Sequence, residues 1–142
     1  NNLIEHQAIT VKIQYLLPRH HKTNPTQNYR EILKDKSNNS IICGDFNAQN
    51  TEWGNNHTDN RGKHIEKYIR DTQLIMLKTG TPTRIEPATG KFSAIDISLA
   101  TPTLAHITDW EVLEQSKLGS DHFPICITLI LTKPKETTTQ YT

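Results

Sequence analysis

The chain has 142 residues, 34% of them hydrophobic and 22% charged, and its 16 basic and 15 acidic residues leave a formal net charge of +1. That length suits one domain with a core of its own, and the balanced charge excludes bulk attraction to nucleic acid or anionic lipid, so any polyanion must be held at a local site. No apolar run approaches the ~20 residues that span a bilayer, the start Asn1-Asn2-Leu3-Ile4-Glu5 lacks a signal-peptide pattern, and Cys43 and Cys126, each inside an apolar run, read as reduced core residues.

In chain order, Ile9, Val11, Ile13 and Tyr15 alternate and predict a strand over 8–15 with one buried face. Asn24-Pro25 resembles a helix start, with Tyr29, Ile32 and Leu33 as its apolar stripe. Ser40 to Cys43 reads as a buried strand that delivers Asp45 to a loop after Gly44, and 46–60 show no periodicity. Asn60 can cap a helix from Arg61 to about Thr72, whose inner face is Ile65, Tyr68 and Ile69. Leu74 to Leu77 predicts a short strand, followed by a turn at Thr79-Gly80-Thr81-Pro82-Thr83.

Ser93 to Ala100 predicts one strand with unlike faces: Ile95, Ile97 and Leu99 on one side, Ala94, Asp96, Ser98 and Ala100 on the other. Asp96 is thereby expected mid-strand, where a lone carboxylate is costly without a partner. A strand is expected over 107–113 around Trp110, and the β-branched run from Phe123 to Leu131 reads as a central strand. The organisation expected is one domain over 1–131 and a disordered tail over 132–142, which has no apolar period.

Three segments place acidic or amide groups at strand ends: Gly44-Asp45-Phe46-Asn47-Ala48, Ser93-Ala94-Ile95-Asp96-Ile97-Ser98 and Gly119-Ser120-Asp121-His122-Phe123-Pro124-Ile125. Singly, each reads as a turn or cap. Together, carboxylates with a neighbouring imidazole and amide form a kit for cleaving a phosphodiester with a divalent ion. His20-His21, His57 and His64 read as solvated, and Arg61, Lys63, Lys67 and Arg70, interspersed with Glu66 and Asp71, as an ordinary helical surface.

In this order, and with Trp53-Gly54, Asn60-Arg61-Gly62, Pro82-Thr83 and Trp110 between and after them, these motifs resemble the C-terminal two thirds of the endonuclease/exonuclease/phosphatase superfamily. The likeness runs from about residue 3 to 131. Trp53-Gly54 and Asn60-Arg61-Gly62 point to the apurinic-endonuclease-like domain of non-LTR retrotransposons. The resemblance implies an α/β fold, a four-layer sandwich of two packed β-sheets flanked by helices, with the site at one end of the sheets. It implies that Asp45 activates the attacking water, Asn47 stabilises the pentacovalent phosphate, Asp96 orients the His122 imidazole, and His122 contacts the phosphate or transfers a proton. Asp121, together with Asp45, would hold the metal, Mg²⁺ with Mn²⁺ as an alternative. The implied partner is the DNA backbone, with a reverse transcriptase joined in the parent element and an intracellular, ultimately nuclear, place of action.

Two departures accompany the likeness. The family pattern carries an earlier Asn and a metal-binding Glu that no segment here matches, and Tyr15-Leu16-Leu17-Pro18 is one residue longer than the family's Tyr-x-Pro. The expectation is therefore an N-terminally truncated copy with a weakened metal site, giving little or no nicking. The alternative is a catalytically inactive remnant with at most weak nucleic-acid or protein binding.

Overall fold

In the computed structural model, described for residues 12–16 (backbone alone), 39–77, 80–114 and 119–130, the β-branched segments pair into one four-stranded sheet and two ribbons. Strand β1 (Lys12–Leu16) lies parallel to β2 (Ser40–Asp45). β2 is antiparallel to β6 (Asp96–Ala100), and β6 is antiparallel to the two-residue strand β3 (Ile75–Met76), giving a sheet ordered β1-β2-β6-β3. Two ribbons accompany it: β4 (Arg84–Ile85) with β5 (Phe92–Ser93), and β7 (Thr108–Val112) with β8 (Ile125–Leu129). Helices α1 (Asn60–Thr72) and α2 (Pro102–Ala105) and a 3-10 turn at Thr51–Trp53 complete the described elements.

Alternation along the sheet sorts the core into two layers. Ile42, Ile97 and Leu99 face α1, where they meet Ile65, Tyr68, Trp53, Phe46 and Leu74. Ile41 and its cross-strand partner Ala100 face the other way, onto Leu104 and the inward residues Ile127 and Leu129 of β8. Ile97 to Ala100 are all buried, because β6 is covered on both faces. Burying a side chain such as Ile65, 1% exposed, stabilises the fold by about 1.5–3 kcal/mol. The helix presents Ile65, Tyr68 and Ile69 at the predicted spacing.

The segment between β2 and α1 is irregular but tightly tied. Asn50, 1% exposed, accepts from the Glu52 N–H and donates to the Gly62 carbonyl and the Glu66 carboxylate. Trp53 is buried and donates its indole N–H to Ala48 O at 3.2 Å. A Cβ on Gly54, which already sits at φ +102°, would lie 2.6 Å from Gly80 Cα, and one on Gly62 would collide with the Gln49 carbonyl. The Trp53-Gly54 and Asn60-Arg61-Gly62 motifs thus fold this loop back against the helix and the turn before β4.

Several expectations need correction. The helix starts one residue earlier than the sequence suggests, because Asp59 is the cap: one carboxylate oxygen accepts from Gly62 N–H at 2.6 Å and the other from Gln49 N–H at 3.2 Å. The predicted strand over 93–100 is two strands, β5 and β6, interrupted at Ala94-Ile95, where Asn55 holds both backbone groups of Ala94. Asp96 is accordingly the first residue of β6. The 123–131 run shortens to β8, which among the described residues pairs with β7 alone and exposes Cys126 and Thr128. Cys126 is therefore no core residue, whereas Cys43 is half-buried; both are free thiols. The helix expected after Asn24-Pro25, residues 8–11 of the first strand, His20-His21, the Tyr15 side chain and the tail over 132–142 lie outside the described residues.

Candidate active site

The sheet register itself begins the site. Asp45, last in β2, is the direct cross-strand partner of Asp96, first in β6. Their side chains share the sheet face that carries Ser98 and Ala100, and Ser98 Oγ accepts from the Trp110 indole at 3.0 Å. Like charges directly opposite one another in a sheet repel, so this pair requires compensation.

His122 supplies it. The 119–123 segment is added to β4 through an antiparallel bridge between Arg84 and His122, which swings the imidazole over the two carboxylates. Its Nδ1 lies 2.8 Å from Asp96 Oδ2. An ionised carboxylate only accepts, so Nδ1 carries the proton and Nε2 is left as the acceptor or the working nitrogen. Nε2 stands 3.8 Å from Asp45 Oδ2 and 3.9 Å from Asp121 Oδ1, outside hydrogen-bond length of both and directed at the gap between them.

Burial holds the Asp96 carboxyl above the usual carboxylate range; the hydrogen bonds with Thr83 and His122 oppose that rise, and the neighbouring Asp45 adds to it. Thr83, 1% exposed, also accepts from the Ile95 and Asp96 N–H groups through its hydroxyl, fixing the strand start that carries Asp96. On the opposite side, Arg84 Nε donates to Asp121 Oδ2 at 2.8 Å, which lowers the Asp121 carboxyl pKa and raises that of the guanidinium. Asp45 folds locally: its Oδ1 accepts the Asn47 N–H at 2.8 Å, and Asn47 adopts φ +46°, a left-handed conformation that Asn tolerates well. The Asn47 side chain is exposed beside Asp45 and makes no hydrogen bond among the described residues.

The structure therefore brings Asp45, Asp96, Asp121 and His122 to one place, with Asn47 at its rim. One ligand atom each from Asp45, Asp96 and His122 falls within 4.8 Å of the others. Sequence reasoning missed Arg84 and Asn55 as parts of this arrangement. Thr83 was noticed only as half of a Pro-Thr pair. None of the three lies near in sequence to the residue it holds, and no local pattern flags a side chain that acts on a segment 12 or more residues away.

Residues 9–126 match the family model described as endonuclease-reverse transcriptase. The chain belongs to the endonuclease-reverse transcriptase family. It is 32% identical over 106 residues to the probable RNA-directed DNA polymerase from transposon X-element of Drosophila melanogaster, a match covering 73% of this chain and 11% of that protein. It is 30% identical over 131 residues to the RNA-directed DNA polymerase from mobile element jockey of the same organism, covering 91% of this chain and 14% of that one. The solved endonuclease domain of TRAS1, a telomere-specific non-LTR retrotransposon, superposes with a TM-score of 0.68 at 25% identity, over 84% of this chain and 56% of that domain. This family membership bears out the resemblance read from the motifs, and the TRAS1 likeness bears out the α/β sandwich class. The comparisons support a nuclease-like function and relatives that carry reverse transcriptase. Among the described residues, no helix is long and apolar enough to cross a membrane.

Proposed function

We propose that this endonuclease-reverse transcriptase family member carries a phosphodiester-cleaving site that nicks DNA with the help of a divalent ion. The observation behind this reading is the imidazole held at Nδ1 by a buried carboxylate while Nε2 faces two further carboxylates at 3.8 and 3.9 Å. The donor set suits a hard cation: carboxylate oxygens clustered at a sheet end, with Asp121 Oδ1 not taken up by Arg84. Asp45 and Asp121 would hold it, and when bound it would polarise a phosphoryl oxygen.

In this scheme Asp45 orients the attacking water and draws off its proton. Asp96 fixes the tautomer and direction of His122, and His122 contacts the phosphate through Nε2 or moves a proton there. The Asn47 amide, which makes no side-chain hydrogen bond among the described residues, donates to charge developing on the phosphoryl oxygens. The ion would be Mg²⁺, the substrate chromosomal DNA reached in the nucleus, and the 3′-hydroxyl released a primer for an attached reverse transcriptase; the relatives' names, RNA-directed DNA polymerases of mobile elements, support the last of these alone.

A second reading is a domain that binds without cutting. One observation favours it: among the described residues no glutamate joins the Asp45–Asp96–His122 cluster, although the family pattern includes one. Supercoiled-plasmid nicking separates the two. Slow, Mg²⁺-dependent nicking is expected, reduced by about 10²-fold or more in Asp45→Ala and His122→Ala. Equal rates in wild type and both variants, or no Mg²⁺-dependent nicking at all, would overturn the proposal, and the latter would favour the second reading.

A further inference from the structure

Arg84 is the cross-strand neighbour of His122. The bridge between them is flanked by Ile85 N–H donating to Asp121 O at 2.9 Å and Phe123 N–H donating to Thr83 O at 2.8 Å. That pattern makes Arg84 and His122 a non-hydrogen-bonded pair, the closer of the two kinds, with both side chains on one face. The guanidinium thus belongs to the same face as the imidazole and the carboxylates. Only one of its edges is used: Nε donates to Asp121 Oδ2, and among the described residues Nη1 and Nη2 make no hydrogen bond. Arg84 and Asp121 are both about a third exposed, at 31% and 33%, so the terminal nitrogens are open to an incoming group.

The electrostatics call for a cation here. Asp45, Asp96 and Asp121 together would repel a phosphodiester, and Arg84 is the guanidinium set among them, close enough for Asp45 as well as Asp121 to act on it. A planar guanidinium tethered at Nε presents a rigid pair of terminal donors that matches two oxygens of one phosphate. We infer that Arg84 docks a backbone phosphate of the nucleic acid through its terminal nitrogens, with Asp121 as the tether that aims it. This inference rests on reading the cluster as a phosphodiester site. A bland surface ion pair is the competing account.

Binding of a fluorescently labelled DNA duplex in EDTA, followed by anisotropy over a salt series, distinguishes them without requiring cleavage. Each phosphate contact adds about 0.9 to the slope of log affinity against log salt. Arg84→Met is expected to lower the slope by about that amount, so that between about 50 and 200 mM salt the variant loses about 3.5-fold less affinity than wild type. Arg84→Lys, which keeps the charge, is expected to retain the wild-type slope. An unchanged slope in Arg84→Met, or an equal loss of slope in Arg84→Lys, would overturn the inference, the latter by showing that the change came from disturbed structure. Plasmid nicking by the wild-type chain reports separately on the cleavage reading. A reduced slope without nicking removes cleavage and keeps the phosphate contact, and nicking with an unchanged slope does the reverse.

Discussion

Replacing Asp96 by Asn separates what this residue does for stability from what it does for chemistry. The side chain is 10% exposed and lies directly across the sheet from Asp45. Burial, reinforced by Asp45, outweighs the hydrogen bonds with Thr83 and His122 and raises the Asp96 pKa in the folded chain. A carboxyl raised above its unfolded value of about 3.9 binds its proton more tightly in the fold. It therefore favours folding below the unfolded pKa, and that contribution is lost as pH rises through the folded pKa. At neutral pH the wild-type fold carries an unfavourable buried charge that Asn lacks. Removing a like-charge pair directly opposite in a sheet is worth about 0.2–1 kcal/mol, or ~1–4 °C in Tm for a domain of this size. Asp96→Asn should thus melt at or slightly above wild type at pH 7, while any nicking falls by about 10²-fold as His122 loses its orienting charge. The Tm difference should shrink as pH falls through the raised folded pKa of Asp96 and be gone below about pH 3.9, where wild-type Asp96 is neutral in both states. Thermal melts by circular dichroism across pH, run beside plasmid nicking, provide both readouts. A variant clearly less stable than wild type at pH 7 would refute the reasoning, because the imidazole bond would then outweigh burial and repulsion.

Two further substitutions test how the site is held. Thr83→Val removes the hydroxyl that accepts from Ile95 and Asp96 N–H and should destabilise by about 1–3 kcal/mol, whereas Thr83→Ser should stay near wild type; urea unfolding measures both. Gly62→Ala places a methyl against the Gln49 carbonyl and should cost about 1–3 kcal/mol despite the better helix propensity of Ala, again by urea unfolding.

The sequence exposed the acidic and amide residues because they sit in short motifs at or beside strand ends. It placed Ile65, Tyr68 and Ile69 on the buried helix face because periodicity reports burial directly. Pairing is where it fell short. The alternation over 93–100 is continuous, yet Thr83 and Asn55 bind the backbone at Ala94 to Asp96 and break the strand there. Nothing within those eight residues announces partners that far away in sequence. The β-branched character of 125–129 suggested a central strand, but it pairs with β7 and leaves alternate residues exposed, since side-chain shape does not fix a strand's neighbours. Cys126 went wrong with it. Arg84 was invisible for a related reason: its significance lies in the bridge that sets it beside His122, and a lone arginine after Pro-Thr carries no such signal.

Heteronuclear NMR of the His122 ring tests the central claim most directly, because the ¹⁵N shifts and couplings report which nitrogen holds the proton. The geometry predicts a proton held on Nδ1 by the Asp96 carboxylate, and loss of that Nδ1 preference in Asp96→Ala. A ring protonated at Nε2 in the wild-type chain, insensitive to loss of Asp96, would contradict it.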